Sequence, residues 1–278
     1  MSAKKPTPSV KNGKDNGPRR PLVAGNWKMH LNHLEAIAHV QKIAYSLRPE
    51  HTDAVDVVVL PAFTALRSVQ TLIDGDKLPL GYGAQDLAVP VAGAHTGDVS
   101  APMLAALGCQ YVTVGHSERR ADHGETDDIV AAKVLVAFAH GLSPILCVGE
   151  TLDIRQAGTH VEWVDRQLTT AIEAIPAEKA ADLVVAYEPI WAIGTGETAT
   201  PEDAQEMSSA IRDRLGRKFG LEIAERIRVL YGGSVKADNA GDLFAGPDVD
   251  GGLVGGASLL AEDFVAIVRA AASSPAAV

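Results

Sequence analysis

Eight short apolar segments recur along the chain, and they restrict its possible folds more than any other feature. Most are rich in β-branched residues and continuously apolar rather than alternating, which is typical of strands buried on both faces of a parallel sheet. The segments are Pro21–Gly25, Val55–Leu60, Leu80–Ala84, Tyr111–Gly115, Pro144–Val148, Leu183–Tyr187, Ile227–Tyr231 and Val249–Val254. Other elements must therefore cover both faces of the sheet.

Helical patterns separate these segments. Apolar stripes with helical spacing are formed by Ile37, Val40, Ala44 and Leu47, and by Val164, Leu168, Ile172 and Ile175. Thr200 and Pro201 provide a hydroxyl cap and a first turn for another helix. No Pro/Gly/Ser-rich linker interrupts residues 21–272. Eight strand–helix units predict an α/β fold, a single-domain (β/α)8 barrel of parallel strands over residues 21–278, with an open doubly wound sheet as the alternative.

The N-terminal segment differs in charge from the rest of the chain. The 278 residues have a formal net charge of −10. Residues 1–20 hold six basic residues and one acidic residue, a net of +5, so the remainder carries −15. Because residues 1–20 are nearly devoid of large apolar side chains, they predict a disordered basic tail. The acidic remainder argues against nucleic acid and acidic membranes as partners, and no apolar run is long enough to span a bilayer.

The two cysteines predict neither a disulfide scaffold nor a zinc site. Cys109 and Cys147 lie 38 positions apart, with no CxxC motif and no histidine at ligand-like spacing. We expect two buried thiols in a reducing compartment. The first 20 residues also lack the apolar run of a secretory signal, so a cytoplasmic location is expected.

Polar residues follow several predicted strands at their carboxyl ends, where (β/α)8 barrels place their chemistry. They are Asn26, Lys28, Gln85, His116, Glu118, Glu150 and Glu188. Each has a structural alternative, and for Glu150 a structural role as an ion-pair partner is the expectation. For Gln85 the structural alternative is a hydrogen bond to neighbouring loops. The collective placement predicts a polar site at one end of the barrel.

Glycine pairs after the last two strands indicate a phosphate ligand. Gly232-Gly233-Ser234 and Gly255-Gly256 would let backbone N–H groups approach an oxyanion, although tight turns are an alternative explanation. An anionic ligand entering an acidic protein needs a local positive charge, and Lys28 is the obvious candidate. A GxxxxGK[ST] motif is absent from the sequence, so a small phosphate ester is favoured over a nucleoside triphosphate.

The connection after the sixth strand is long for a strand–helix loop and has an apolar centre. These features predict a hinged lid rather than an ordinary surface loop. Its residues are Pro189, Ile190, Trp191, Ala192, Ile193, Gly194, Thr195, Gly196, Glu197, Thr198 and Ala199. A GxGxxA match inside it lies too far beyond the strand to be a dinucleotide fingerprint.

Several motifs of the sequence resemble those of one enzyme family. They are Ala24-Gly25-Asn26-Trp27-Lys28-Met29-His30, Val114-Gly115-His116-Ser117-Glu118-Arg119-Arg120, the run from Ala186 to Gly196, Tyr231-Gly232-Gly233-Ser234, and Leu253-Val254-Gly255-Gly256-Ala257-Ser258. Together they resemble the triosephosphate isomerase family over residues 21–272 in one register. The resemblance implies a TIM barrel and interconversion of dihydroxyacetone phosphate and D-glyceraldehyde 3-phosphate through an enediolate, in glycolysis and gluconeogenesis.

The resemblance also implies residue roles. Glu188 is the base, His116 polarises the carbonyl, and Lys28 and Asn26 position the substrate and neutralise charge. Backbone N–H groups of Gly194, Ser234, Gly255 and Gly256 hold the phosphate. In this family, a standard example of carboxylate–imidazole catalysis, the imidazole stays neutral beside a helix start. Tyr231 and Ser234 latch the lid, Glu118 supports the site, and no metal or organic cofactor is required.

Members of this family are homodimers in which the loop after strand 3 enters the partner's site. Residues 93–98 match that loop, so the resemblance implies that Thr96 steadies Asn26 and Lys28 across the interface. A solvent-exposed turn that caps the helix at Ser100 is the alternative. The tail lies outside the shared pattern, and Glu197 stands where the family often has a basic residue.

Three other functions are less consistent with the residues. A Schiff-base aldolase needs a lysine nucleophile, but strand 6 ends in Glu188 and only Lys28 lies near a strand end. A non-catalytic scaffold predicts a lost base or lid, whereas both are present. An NAD-dependent oxidoreductase would depend on the misplaced GxGxxA match alone.

Overall fold

Eight parallel strands close into a barrel in the computed structural model, which describes residues 19–193 and 198–275. The strands are β1 Leu22–Asn26, β2 Asp56–Leu60, β3 Gly81–Ala84, β4 Tyr111–Val114, β5 Ser143–Val148, β6 Val184–Tyr187, β7 Arg228–Tyr231 and β8 Gly251–Val254. All eight predicted strands are present, and their ends differ from the predicted ones by at most two residues. Leu22 on β1 pairs with both Asp56 on β2 and Gly251 on β8, so the barrel is confirmed and an open sheet is excluded.

Helices surround the barrel and cover its outer face. They are α1 His33–Ser46, α2 Pro49–Ala54, α3 Phe63–Asp76, α4 Ala101–Leu107, α5 Ser117–His123, α6 Asp127–Ala139, α7 Leu152–Gln156, α8 His160–Ile172, α9 Ala177–Ala180, α10 Pro201–Phe219, α11 Leu221–Ala224, α12 Ala240–Phe244 and α13 Ala261–Ala272. Short 3₁₀ helices follow β6 and β8, at Ile190–Ala192 and Gly256–Leu259. None of the described helices is long and apolar enough to cross a membrane.

The predicted helix patterns are mostly confirmed. Thr200 caps α10 in a capping box with Asp203, because its side chain accepts from the Asp203 N–H. All four predicted apolar positions of the second stripe are buried, but only Val164, Leu168 and Ile172 lie on α8, because the helix ends before Ile175. On α1 the buried stripe is Ala36, His39, Val40, Ile43 and Ala44. The predicted register of α1 was partly wrong, since Ile37 and Leu47 are only half-buried at its edges and a histidine lies inside the stripe.

Successive strand residues point alternately into the barrel and outward to the helices, so both strand faces are buried. The inner cluster consists of Leu22, Ala24, Val58, Leu60, Tyr111, Ile145, Cys147, Val184, Ala186, Leu230 and Leu253. A larger outer cluster fills the space between strands and helices. Because both faces of each strand are buried, the strands are continuous apolar runs in the sequence. Both cysteines are free and buried, and burial raises the pKa of the Cys109 thiol to about 12.

Ion pairs close the amino end of the barrel, opposite the polar strand ends. Arg19 pairs with Asp250 at 2.6 Å, and Arg20 pairs with Asp56 at 2.7 Å. Asp56 also accepts from the half-buried Arg228, at 2.8 Å. Arg19 and Arg20, the last two residues of the predicted tail, therefore contact the barrel. Residues 1–18 of that predicted tail lie outside the described residues.

Candidate active site

A cavity of about 380 Å³ opens at the carboxyl ends of the strands. It is lined by Asn26, Lys28, His116, Glu188, Ile193, Gly232, Gly233, Ser234, Val235, Lys236, Leu253, Gly255, Gly256 and Ala257. The structure thus brings together residues from the ends of β1, β4, β6, β7 and β8. Gln85, Glu118 and Glu150 do not line this cavity, although each contacts groups close to it.

Glu188 lies directly after β6 and is only 2% exposed. Its backbone N–H donates to Val148 O at 2.8 Å, which continues the pairing of β6 with β5. The carboxylate contacts two groups of the β4–α5 junction. Oε2 accepts from the Ser117 N–H at 2.9 Å, and Oε1 lies 2.9 Å from His116 Nε2. The contact with Ser117 was not expected from the sequence, because residue type does not show which backbone N–H group will face a side chain.

His116 is held at the beginning of α5. Its Nδ1 accepts from the Glu118 N–H at 3.3 Å, so the proton of the neutral ring lies on Nε2, facing Glu188 and the cavity. Burial is the largest influence on the pKa of His116 and lowers it, but the Glu188 and Glu118 carboxylates together raise the pKa above its usual value.

Lys28 occupies the left-handed region with φ of +51°, a conformation that costs a non-glycine residue about 1 kcal/mol or more. Surrounding hydrogen bonds hold it there. The Lys28 N–H donates to Asn26 Oδ1 at 3.0 Å, and Gln85 Nε2 donates to Lys28 O at 2.8 Å. The ammonium group pairs with Glu118 Oε1 at 2.5 Å. Gln85 therefore has the bonding role that was its structural alternative, and it fixes the backbone that carries Lys28.

Glu150 anchors the start of the lid. It accepts from Tyr187 Oη at 2.9 Å and from Trp191 Nε1 at 2.8 Å. The expected ion-pair role was wrong, since these partners of its Oε1 are a phenol and an indole. Burial raises the pKa of Glu150, and the donors from Trp191 and Tyr187 counteract it. Arg155 lies 5.8 Å from the centre of the Trp191 ring.

The predicted lid is described at both of its ends. Trp191 and Ile193 are half-buried and Ala192 is fully buried, so the apolar part of the connection packs onto the barrel. Ser234 Oγ donates to Ala192 O at 2.9 Å. Gly194, Thr195, Gly196 and Glu197 lie outside the described residues, including the predicted phosphate contact of Gly194. Ala199, which follows these residues, and Tyr231 on β7 are buried. Burial raises the pKa of Tyr231.

The two glycine pairs differ in the space that a side chain would have at each position. A Cβ at Gly233 would lie 2.2 Å from Tyr231 Oη, so packing alone requires glycine there, whereas one at Gly232 would make a tight contact at 3.0 Å from Glu188 Cγ. At Gly256 a Cβ would meet nothing within 4 Å, and at Gly255 only Lys28 Cε at 3.4 Å. Packing does not require glycine at 255 and 256, so these two leave open the space into which a phosphate would fit.

Residues 91–98, which include Thr96, are exposed. Ser100 directly precedes α4 at the cap position, but its side chain makes no capping hydrogen bond, so the predicted alternative of a capping turn gains no support. Met29, next to Lys28, is 93% exposed. Over residues 19–193 and 198–275, histidine, cysteine and carboxylate side chains form no group of three that could hold a metal ion.

Comparison with known proteins agrees with this geometry. The family model described as triosephosphate isomerase matches residues 21–271. The triosephosphate isomerase of Streptomyces coelicolor is 58% identical over 90% of this chain and 97% of its own length. Those of Saccharopolyspora erythraea and Mycobacterium tuberculosis are each 58% identical over 92% of this chain and 98% of their own. A closed eight-stranded barrel with this cavity and these similarities places the chain in the triosephosphate isomerase family.

Proposed function

We propose that this protein interconverts dihydroxyacetone phosphate and D-glyceraldehyde 3-phosphate, the aldose–ketose isomerisation used in glycolysis and gluconeogenesis. The observation that carries the proposal is the grouping of Glu188, His116 and Lys28 around one cavity. A carboxylate, an imidazole N–H and an ammonium group supply a base, a hydrogen-bond donor and a positive charge. The cavity is large enough for a phosphorylated three-carbon sugar.

Glu188 moves the proton between the two carbons. Its carboxylate first gives up the Ser117 N–H and then takes a proton from C1 of the ketose, which leaves an enediolate. Returning the proton to C2 gives the aldose. His116 Nε2–H donates to the carbonyl oxygen, and its ring mediates the proton exchange between O1 and O2. Lys28 and Asn26 stabilise the negative charge that develops on these oxygens.

The phosphate lies at Gly255 and Gly256, with Ser234 in the segment that follows the neighbouring strand β7. Open space at both glycines and the nearby Lys28 support this placement. Gly194 belongs to the same set by the family resemblance. The lid from Pro189 to Ala199 closes over the bound substrate and excludes water, and hydroxyls of Tyr231 and Ser234 hold it shut.

The proposal extends to a homodimer in which the loop at 93–98 reaches the partner subunit. Exposure of this loop and of Met29 supports it. Sedimentation of the purified protein tests it: we expect a dimer, and Thr96→Arg should shift it toward monomers with lower activity. A monomeric parent protein would contradict the proposal. The proposed location is the cytoplasm, which the two free thiols favour.

A coupled assay on both triose phosphates, without added metal or nucleotide, tests the activity. Glu188→Gln removes the base and keeps the shape of the side chain, so we expect at least a thousandfold loss of kcat. Glu222→Gln, an exposed change on α11, is the matched control and should keep normal turnover. An inactive parent, or an active Glu188→Gln variant, would refute the assignment.

A further inference from the structure

His39 is a buried polar residue that the proposed mechanism does not use. It lies in the middle of α1, is 7% exposed, and belongs to the stripe that packs onto the barrel. The neighbouring members of the stripe, such as Val40 and Ile43, are apolar. A histidine in this position keeps a polar ring where a leucine would fill similar space, so its polar contacts need an explanation.

Two contacts of the His39 ring reach two different parts of the site. Nε2 lies 2.7 Å from Ser258 O, and because a carbonyl oxygen only accepts, Nε2 is the donor. The ring also packs edge-to-face against Trp27, with centroids 5.2 Å apart and planes at 68°. Trp27 lies between Asn26 and Lys28 in the sequence. One ring therefore contacts the turn that carries the proposed catalytic lysine and the 3₁₀ helix after β8.

Ser258 determines the shape of the glycine segment that faces the cavity. Its backbone N–H and its Oγ both donate to Gly255 O, at 2.8 and 2.6 Å. Ser258 is fully buried, and Gly255 and Gly256 both line the cavity. A Cβ on Gly25 of β1 would lie 3.1 Å from Ser258 Cβ, so the strand and the 3₁₀ helix are in close contact. Movement of Ser258 would consequently move the glycines.

We propose that His39 is a positioning residue that fixes the phosphate-facing segment Gly255–Ser258 and couples it, through Trp27, to the Asn26–Lys28 turn. The role in catalysis rests on the proposed function, whereas the effect on phosphate does not. The donated hydrogen bond holds Ser258 O against α1, so the glycine N–H groups are ordered before an anion arrives. Preorganised donors bind an anion more tightly than donors that must first be ordered.

The protonation state of His39 is consistent with this role. Burial lowers its pKa, the bond to Ser258 O opposes that effect, and Lys42 on the same helix lowers the pKa further. The ring is therefore neutral at and above neutral pH, with its proton on Nε2. A neutral donor can bind the carbonyl oxygen without placing a charge among Val40, Ile43 and Trp27.

Three variants separate positioning from simple core packing. His39→Leu removes the donor and keeps an apolar filler, whereas His39→Gln places an amide nitrogen near the position of Nε2. Val40→Ala is the matched control, because Val40 is the adjacent fully buried residue on α1. For each variant we would measure the Kd of inorganic phosphate by calorimetry, KM and kcat for the triose phosphates, and the Tm.

His39→Leu is expected to weaken phosphate binding and raise KM by about threefold to tenfold, the value of one lost hydrogen bond, while kcat changes less than KM. His39→Gln should recover most of the affinity. Val40→Ala should lower the Tm and leave the phosphate Kd unchanged. If His39→Leu does not fold, His39→Met provides the same comparison.

Two results would overturn the role of His39. One is an unchanged phosphate Kd in His39→Leu despite a lower Tm, and the other is an equal loss of affinity in Val40→Ala. Because phosphate binding is measured directly, the test is separate from the activity. A parent protein that binds phosphate through this segment but does not isomerise triose phosphates would refute the proposed function and leave the His39 proposal standing.

Discussion

The groups in the proposed active site are held largely by backbone atoms of neighbouring segments. The Ser117 N–H holds Glu188 and the Glu118 N–H fixes the tautomer of His116, whereas the Lys28 carbonyl is held by the side chain of Gln85. Backbone donors are rigid parts of strands and helix starts, so they orient a side chain at little entropic cost. Glu188 and His116 also influence each other directly through a 2.9 Å contact.

The pKa of His116 provides a residue-scale prediction. Glu188→Gln removes the carboxylate that raises this pKa, so burial should then lower it. NMR titration of the His116 ring should show a lower pKa in the variant than in the ligand-free parent, with Glu222→Gln as the control. The pair stabilises the fold below the unfolded histidine pKa of about 6.5, and this contribution disappears as pH rises through the raised folded value. An unchanged His116 pKa would show that the contact is not electrostatic.

At the scale of elements, the lid is attached to the barrel by one buried carboxylate. Glu150, after β5, binds Tyr187 on β6 and Trp191 in the first turn of the lid through the same oxygen. Tyr187 belongs to the rigid strand, whereas Trp191 belongs to the segment proposed to move. The same acceptor therefore connects a fixed donor with a movable one.

Removing each donor separately tests this arrangement. We expect Tyr187→Phe and Trp191→Phe each to lower the free energy of unfolding by about 1–3 kcal/mol, because each leaves the buried carboxylate less satisfied. Only Trp191→Phe should also change kcat by severalfold, since it shifts the conformational preference of the lid. Chemical denaturation and steady-state kinetics provide the two measurements. Equal kinetic effects of both variants would argue against a lid-specific role for Trp191.

For the whole molecule, the proposed active site and the ion pairs that close the barrel lie at opposite ends of the barrel. The carboxyl ends of the strands carry the cavity, and the amino ends carry Arg19, Arg20 and Arg228 with the buried Asp56 and Asp250. Ion pairs at the amino end stabilise the barrel without contacting the substrate cavity. Changes at that end should therefore affect stability and leave turnover intact.

Two truncations test this separation. Deletion of residues 1–20 removes Arg19 and Arg20, so we expect about 2 kcal/mol less stability, since Asp56 and Asp250 each lose one of two cationic partners. Deletion of residues 1–18 keeps both arginines and should keep the parent Tm. The kcat of both proteins should match the parent value. A large loss of kcat in the longer truncation at a temperature where it is folded would contradict the separation.

The sequence by itself determined the strands, the helix start at Thr200 and the set of polar residues at the strand ends. These features follow from local rules: continuous apolar runs predict strands buried on both faces, and hydroxyl-proline starts predict helices. Closure of the barrel, the hydrogen bonds that orient Glu188 and Glu150, and the bond from His39 to Ser258 were decided by tertiary structure. His39 and Ser258 are 219 positions apart, and only closure of β1 against β8 brings them together. Such contacts depend on the path of the backbone, which residue type alone does not encode.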